Sequence, residues 1–365
     1  MTPSSKNKKN LKVAVAMSGG VDSSVAAVLL KQQGYDIAGI TMRIWPCEEK
    51  TETNSKLCCS LDDVLDAKKV AGKLNIPHYT IDFRDEFNKN VIKPFCESYL
   101  KGLTPNPCII CNRQIKFRIL LEKALAMGFD YLSTGHYAVI KHGAKTKHYS
   151  LCKGKDDNND QSYWLYSIKK ENLSRILMPL GGYTKAEVRA LADKAVLSVA
   201  QKPKSQEICF IHDKSYRDFI KKHGITSKKG EILDLSGKKL GTHNGIFNFT
   251  IGQRSGLGIS LGKRAYVVKL LPKTNTVVLG NEQDLYSKEL LAGDINWLIP
   301  ETDIRFPLKA KIKIRYKHKE ANAQIFQLKP EICKIVFDEP QRAITPGQSI
   351  VFYKANTVLG GGTIL

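Results

Sequence analysis

Long apolar runs are missing from this sequence. None of its apolar stretches approaches the roughly 20 residues that a membrane-spanning helix requires. The first residues, Met1 to Asn10, also lack the apolar segment of a secretory signal. We therefore expect a cytoplasmic protein without a membrane partner.

Acidic residues are scarce relative to basic ones. The chain has 57 lysines and arginines against 35 aspartates and glutamates, which gives a formal net charge of +22. Such an excess favours a polyanionic partner that is bound through its phosphates in a salt-sensitive way. A general contribution of charge to solubility is the alternative, and composition alone does not separate the two.

Lysine is absent from the glycine-rich turn near the beginning of the chain. The apolar run Val13 to Ala16 leads into Ser18-Gly19-Gly20-Val21-Asp22-Ser23, and an apolar segment follows as far as Gly34. This pattern predicts a buried strand, a tight loop and a helix. Backbone N–H groups converge at such a helix start, where the helix dipole favours an anion, so the loop is a candidate phosphate site. The spacing is not that of a Walker-type P-loop, and a glycine turn in some other α/β protein is the alternative.

Strand-like and helix-like segments alternate through the first half of the chain. Strands are expected at Val13–Ala16, Ile37–Met42, His78–Asp82 and Phe129–Thr134. The alternation predicts a Rossmann-like parallel sheet of the α/β class, with ligands at the carboxyl ends of its strands.

Two local predictions concern the connections of this sheet. Thr104 to Asn112 is expected to be irregular because its two prolines oppose regular structure. Residues 148–153 are expected to pair with residues 162–168 across an acidic, asparagine-rich loop.

The pattern changes at about residue 212, where short strands and turns replace the alternation. Because 365 residues exceed the usual size of a single core, we divide the chain into three domains. These are a catalytic α/β domain (1–211), a small, mostly β central or linker domain (212–283) and a C-terminal antiparallel β-barrel (284–365).

A strand of this barrel has one basic face. In Leu308 to Tyr316, small and apolar residues alternate with four cations, which we call the basic strand face: Lys309, Lys311, Lys313 and Arg315. A solvated surface is the commoner explanation of a charged strand. The net charge of the chain favours contact with a nucleic-acid backbone instead.

The nine cysteines lack the spacing of a zinc finger. Cys108-Ile109-Ile110-Cys111 is followed by no second CxxC or histidine pair, although Cys47, Cys58 and Cys59 cluster upstream. In a reducing compartment, cysteines are more often catalytic, redox-active or metal-binding than structural. A thiol beside an electropositive phosphate loop is expected to have a lowered pKa and to be nucleophilic.

Several motifs together resemble one known family. The glycine loop resembles the Ser-Gly-Gly-x-Asp-Ser pyrophosphate loop of the ATP pyrophosphatase superfamily. The wider match is to the bacterial tRNA-specific 2-thiouridylase family and runs from about residue 11 to the C-terminus. It is carried by the following segments: Ala16 to Ser23, Thr104 to Phe117, Thr134 to Ala138, Asp160 to Tyr163, Glu207 to Ile211, Ile251 to Arg254, Gly256 to Gly258, Arg315-Tyr316 and Pro346 to Ser349.

The resemblance implies a reaction in two stages. ATP, with Mg²⁺, adenylates the C2 oxygen of the wobble uridine in tRNAs with lysine, glutamate or glutamine anticodons, and pyrophosphate is released. A sulfur carried by the enzyme then attacks C2 and AMP leaves. The resemblance also implies a cysteine desulfurase or a sulfur-relay protein as donor, and a disulfide bond among the thiols. The target base has to leave its stack to enter a pocket.

The resemblance also assigns residues. Cys111 matches the nucleophile and Cys209 matches the cysteine that carries the persulfide. ATP is expected at Ala16, Met17, Ser18, Gly19, Gly20, Val21, Asp22, Ser23, Met42 and Gly135. Contacts with tRNA, including the target base, are expected at Asn106, Pro107, Cys108, His136, Asn159, Asp160, Gln161, Arg315, Tyr316 and Gln348.

One position departs from the usual family pattern. Many members have aspartate where this chain has Cys108, so a third thiol stands near Cys111. Persulfide transfer is therefore one interpretation, in which Cys108 only shapes the pocket. In the alternative interpretation, Cys108, Cys111 and Cys209 hold an iron–sulfur cluster that carries the transferred sulfur.

Two other classes of function compete with this interpretation. Another ATP pyrophosphatase adenylates a carbonyl for nitrogen transfer, but it has no need of the two thiols. A non-enzymatic RNA-binding protein that senses adenine nucleotides is the second alternative. Release of pyrophosphate from ATP, with and without tRNA, separates these classes.

Overall fold

The computed structural model describes residues 8–44, 61–143, 148–203, 208–211, 215–224, 228–259, 262 and 264–365. Cys47, Cys58 and Cys59 lie outside these residues. The chain forms two compact units. Unit 1 contains Met1–Val91, Cys108–His212 and Asn356–Val358, and unit 2 contains Ile92–Pro107, Asp213–Ala355 and Leu359–Leu365.

The helices are α1 (Val21–Gln32), α2 (Leu61–Lys73), α3 (Arg84–Phe87), α4 (Lys93–Leu100), α5 (Pro107–Ile110), α6 (Leu121–Ala126), α7 (Lys185–Lys194) and α8 (Tyr216–Lys222). The strands of the first half are β1 (Lys12–Ala16), β2 (Asp36–Arg43), β3 (His78–Asp82), β4 (Tyr131–Ser133), β5 (Ala138–His142), β6 (Tyr149–Lys153) and β7 (Ile176–Leu177). Among the residues with an assigned position, no helix combines the length and apolar character needed to cross a membrane.

A five-stranded parallel sheet forms the centre of unit 1. Its order is β3-β2-β1-β4-β7, so β1 lies between β2 and β4 at the point where the winding direction changes. Val13 and Val15 are fully buried, and α1 packs its apolar side on the same core. Ligands of such sheets bind outside the carboxyl ends of the strands at this switch point. The predicted Rossmann-like domain is confirmed.

The helix that carries the CxxC begins earlier than expected. α5 starts at Pro107, and a π-helical segment, Cys111–Leu120, follows it directly. The prediction that Thr104 to Asn112 is irregular is therefore wrong for its second half. Proline opposes the interior of a helix, but its fixed φ and missing N–H suit the first helical position.

The strand that ends at Lys153 has a different partner from the one expected. β6 pairs with β5 in a hairpin, with Val139 opposite Cys152, and Cys152 also pairs with Thr357 within unit 1. Residues 162–165 form a 3₁₀ turn. The expected pairing of 148–153 with 162–168 is therefore wrong.

Unit 2 contains two β-structures. The first has the order β10-β11-β8-β9, made of β8 (Lys229–Asp234), β9 (Lys239–Asn244), β10 (Tyr266–Leu271) and β11 (Thr276–Gly280). The second contains β12 (Tyr286–Trp297), β13 (Leu308–Lys313), β14 (Ala321–Lys329), β15 (Ile332–Arg342), β16 (Ser349–Lys354) and β17 (Thr357–Ile364).

The second structure is a closed antiparallel barrel. Its strands follow the order β12-β15-β14-β13-β16-β17, and β12 pairs with β17 through Gly361 and Ile364 to close it. Closure removes the exposed strand edges. Ile312 and Ile314 lie in its core, whereas Lys309 and Lys311 are exposed, as the alternation predicts. The predicted fold class is confirmed, and the borders at 211/212 and 283/284 stay predictions.

Candidate functional site

The glycine loop lies between β1 and α1. Gly19 adopts a left-handed backbone, with φ of +69°, and Gly20 is the residue that caps α1. The Ser23 hydroxyl accepts a hydrogen bond from the Ser18 N–H at 3.1 Å, and the Ser24 hydroxyl donates to the Gly20 carbonyl at 2.9 Å. These bonds hold the loop in one conformation at the start of a 12-residue helix. The first N–H groups of that helix have no intrahelical acceptor and can receive an anion.

Two close backbone approaches border this loop. A Cβ built on Gly19 would lie 2.3 Å from the carbonyl oxygen of Asp63. A Cβ built on Gly135 would lie 2.7 Å from the backbone nitrogen of Ser23. Only glycine fits at either position. Gly135, which follows β4, therefore lies at the sheet edge that carries the loop.

The aspartate of the loop is held from a distant part of the chain. Asp22 Oδ1 accepts a hydrogen bond from the Tyr137 hydroxyl at 2.7 Å and an ion pair from Lys185 Nζ at 2.5 Å. Burial raises the pKa of Tyr137, and the adjacent Asp22 carboxylate raises it further, so this phenol stays a donor. Sequence reasoning missed Lys185, because no local pattern relates it to Asp22.

A second lysine from the later part of unit 1 also contacts the loop. Lys202 Nζ donates to the Gly19 carbonyl at 3.2 Å and forms ion pairs with Asp63 at 2.5 Å and Asp66 at 2.9 Å. The loop has no lysine of its own, but Lys185 and Lys202 from the later part of unit 1 contact it.

The expected adenosine side is built from β1 and β2. The Met17 N–H donates to the Ile40 carbonyl, and the Thr41 hydroxyl donates to the Met17 carbonyl at 2.8 Å. A Cβ on Gly39 would meet Met17 Sδ at 2.6 Å. Met42, which follows Thr41 near the carboxyl end of β2, is half-buried. Met17 and Met42 thus both lie at the strand ends beside the loop.

Cys111 begins the π-helical segment in unit 1. Burial raises the pKa of its thiol, and the nearby Lys116 only partly opposes this effect. The direction of this shift in the pKa is opposite to the lowering expected for a thiol beside the loop. A π-helix places residues five apart above one another, which puts Lys116 on the side of Cys111.

The other two thiols expected at the site, Cys108 and Cys209, are half-buried. Cys209 precedes Phe210, whose ring packs edge-on against Phe87 at 5.9 Å between centroids. None of the six cysteines within the described ranges takes part in a disulfide. Across those ranges, no three Cys, His, Asp or Glu side chains come close enough to hold a metal ion. The arrangement therefore does not fit an iron–sulfur cluster held by Cys108, Cys111 and Cys209.

Besides Cys108, four predicted tRNA contacts lie in unit 1. The ring of His136 is hydrogen-bonded through Nδ1 to the Thr134 hydroxyl at 2.8 Å, and burial lowers its pKa far below the usual range, so it is neutral. Gln161 accepts from the Tyr137 N–H at 2.9 Å, and the Asn159 amide donates to Asp156. Asp160 is buried, and its carboxylate accepts from the backbone N–H groups of residues 154 and 162. Its geometry is that of a loop organiser.

The remaining tRNA candidates lie in unit 2. The Gln348 amide donates to the Thr104 carbonyl at 3.0 Å, and the Thr104 N–H donates to Pro346, so Gln348 supports the segment that contains Asn106 and Pro107. Arg315 donates to the carbonyl of residue 342 at 3.0 Å. Lys313 Nζ, a cation of the basic strand face, lies 5.8 Å from the ring centre of Tyr316 in a cation–π arrangement.

Comparison with known families divides the chain into three matched regions. Residues 11–213 match the tRNA methyl transferase HUP domain, residues 217–281 the tRNA methyl transferase PRC-barrel domain, and residues 287–364 the aminomethyltransferase beta-barrel domain. The first match alone covers more than half of the chain.

Curated relatives are similar over nearly the full length. The tRNA-specific 2-thiouridylase MnmA of Acetivibrio thermocellus is 52% identical over 355 residues, covering 97% of this chain and 99% of the relative. The protein of the same name from Carboxydothermus hydrogenoformans is 50% identical and covers 97% of each chain. That of Clostridioides difficile is 48% identical and covers 97% of this chain and 98% of the relative.

The relatives are about half identical to this chain over almost its whole length, and the three matched domains agree with them. The loop and the thiols described above also support this relationship. The chain therefore belongs to the tRNA-specific 2-thiouridylase family.

Proposed function

We propose that this chain is a tRNA-uridine 2-sulfurtransferase that works in the cytoplasm. It uses ATP to activate the wobble uridine of tRNAs with lysine, glutamate or glutamine anticodons and replaces the C2 oxygen with sulfur. The observation that carries this proposal is the full-length similarity to tRNA-specific 2-thiouridylases. The glycine loop and the two cysteines that the reaction needs, Cys111 and Cys209, lie in unit 1.

The activation step uses the loop between β1 and α1. The residues from Ala16 to Ser23 hold the phosphates of ATP, supplied with Mg²⁺, while Met42 and Gly135 border the adenosine part. Attack of the uridine O2 on the α-phosphorus forms the adenylated base and releases pyrophosphate. N–H groups that converge at a helix start stabilise the negative charge that develops on the phosphates. Oxygen bound to AMP is a far better leaving group than the original carbonyl oxygen.

The sulfur step uses the two thiols that the family motifs identify. A persulfide on Cys209, loaded by a cysteine desulfurase or a relay protein, attacks C2 with its terminal sulfur, and AMP leaves. Cys111 then loses its proton and attacks the Cys209 sulfur of the adduct as a thiolate, and the leaving 2-thiouridine takes up a proton. This releases 2-thiouridine and leaves a disulfide between the two cysteines, which an external thiol reduces with two electrons. Both steps conserve sulfur and electrons without a metal cluster.

Recognition of tRNA involves both units. Asn106, Pro107 and Cys108 are proposed contacts of the target base, and the neutral His136 of unit 1 can donate or accept one hydrogen bond with the tRNA. The other contacts proposed in unit 1 are Asn159, Asp160 and Gln161, of which Asp160 acts through the fold of its loop. In unit 2 they are Arg315, Tyr316 and Gln348. The basic strand face adds cations for the phosphate backbone.

Pyrophosphate release from radiolabelled ATP tests this proposal. We expect release to depend on tRNA that contains an unmodified wobble uridine and to disappear when that uridine is replaced by cytidine. Tight ATP binding without any tRNA-dependent release would favour a nucleotide sensor. Release that depends on an amine donor rather than on tRNA would favour a nitrogen-transferring synthetase.

A further inference from the structure

Lys202 is the centre of an ion-pair group that contacts the glycine loop. Its ammonium contacts two carboxylates, Asp63 and Asp66, and the carbonyl oxygen of Gly19. Asp63 is 3% exposed, and its own carbonyl lies against Gly19. The group therefore connects α2, the loop and the segment that follows α7.

The ammonium stays charged in this position. Burial alone disfavours the charged form, but the hydrogen bonds and charges of Asp63 and Asp66 outweigh it and raise the pKa of Lys202. One cation thus faces two anions, and its remaining hydrogen-bonding capacity is directed at a backbone carbonyl. A lysine that only neutralised Asp63 would not need this third contact.

The third contact acts on a specific peptide group. The Gly19 carbonyl that Lys202 binds and the Gly20 N–H belong to the same planar peptide, so fixing one direction fixes the other. Two consecutive glycines have wide conformational freedom, and a flip of this peptide would turn a carbonyl toward the phosphates. A cation on the carbonyl also polarises the peptide and strengthens the opposite N–H as a donor.

We propose that Lys202 is a positioning residue for ATP cleavage, which holds the Gly19–Gly20 peptide so that the Gly20 N–H faces the phosphates. The inference rests on the proposed function, because it assumes that the loop binds ATP. In this way a distant segment supplies the lysine that the loop itself lacks. Lys202 acts through the backbone of the loop and does not have to touch the nucleotide.

The test compares three single variants in tRNA-dependent pyrophosphate release. Lys202→Met should lower kcat/KM for ATP by about tenfold or more, since loss of one oriented donor commonly costs about 10²-fold. Lys202→Arg, which can still donate to a carbonyl, should retain most of the rate. Lys69→Met is the matched control, because Lys69 also faces Asp66, at 3.8 Å, but is 68% exposed and has no contact with Gly19. Binding of tRNA should be unchanged in all three.

A double variant separates positioning from simple charge balance. Lys202→Met removes the ion pair between Lys202 and the buried Asp63 and is expected to melt at a lower temperature. The additional change Asp63→Asn removes the negative charge that Lys202 faced and should restore much of the melting temperature while pyrophosphate release stays low.

Two results would overturn the inference. One is a Lys202→Met enzyme with a rate within about twofold of the parent, a loss far below that expected for an oriented donor. The other is full recovery of the rate in the double variant, which would make Lys202 a structural counter-ion only. A parent protein that releases no pyrophosphate with tRNA would instead refute the proposed function.

Discussion

Replacing Gly19 by alanine is expected to stop ATP cleavage although it adds a single methyl group. The new Cβ would lie 2.3 Å from the Asp63 carbonyl oxygen, whereas ordinary van der Waals contact is 3.4–4 Å. The loop or the start of α2 therefore has to move by about 1 Å. A displacement of that size in a reacting group can lower a rate by about 10²-fold. Gly19→Val should be at least as severe.

The matched control is Gly34→Ala, at the other end of α1. Gly34 also has a left-handed backbone, with φ of +86°, but its added Cβ would meet nothing within 4 Å. Both variants should lose about 1–2 kcal/mol of unfolding free energy from backbone strain. Only Gly19→Ala should lose activity.

The assay measures tRNA-dependent pyrophosphate release and tRNA affinity in the same preparations. We expect Gly19→Ala to release pyrophosphate at about 1% of the parent rate or less, with tRNA affinity unchanged. Near-parental release by Gly19→Ala would refute the assignment of this loop to the phosphates. Equal losses in Gly19→Ala and Gly34→Ala would show that strain, rather than the contact with Asp63, causes the defect.

Three further predictions concern tRNA binding and the thiols. The changes Lys311→Gln, Lys313→Gln and Arg315→Gln neutralise three of the four cations of the basic strand face. They should make the slope of the logarithm of the tRNA association constant against the logarithm of the salt concentration less negative by about 2–3. ATP affinity should be unchanged. An unaltered slope would make that face ordinary solvated surface. Cys108→Asp should keep 2-thiouridine formation, measured in nucleoside digests, because the persulfide route does not use this thiol; loss of activity together with cluster iron after anaerobic purification would contradict the route. Because burial raises the pKa of Cys111, its alkylation by iodoacetamide should be slow at pH 7 and rise above the pH at which an ordinary thiol titrates. A half-maximal rate at or below pH 8.5 would contradict this direction.

Local patterns were sufficient for the first strand, loop and helix. Neighbouring residues alone determine the buried strand before Ser18, the tight turn at the two glycines and the end of the helix at Gly34. The structure contains β1, a turn with a left-handed Gly19 and α1 at these places. The alternation of Leu308 to Tyr316 likewise predicted which side of β13 enters the barrel core.

Proline and strand pairing were harder to interpret. Pro107 can either interrupt a helix or begin one, and only the residues that follow decide between these roles. β6 pairs with β5 instead of with residues 162–168, and this pairing depends on the tertiary fold around Cys152 and Thr357. A single sequence contains no signal for such a choice.

The two lysines at the loop show why long-range parts of the site were missed. Lys185 and Lys202 lie more than 160 residues after the groups that they contact, Asp22 and Gly19. In a chain with 57 lysines and arginines, nothing local distinguishes them from surface residues. Likewise, the raised pKa of Cys111 comes from burial, which the CxxC spacing does not report.

Mass spectrometry of tRNA nucleosides tests the central claim most directly. The protein is incubated with ATP, Mg²⁺, a cysteine desulfurase with cysteine, a reductant and unmodified tRNA, and the digest is analysed for 2-thiouridine. The account predicts 2-thiouridine at the wobble position with the parent protein. It predicts none with Cys111→Ala or Cys209→Ala, although both variants should bind ATP and tRNA normally. Absence of 2-thiouridine with the parent protein, or its formation by either cysteine variant, would contradict the account.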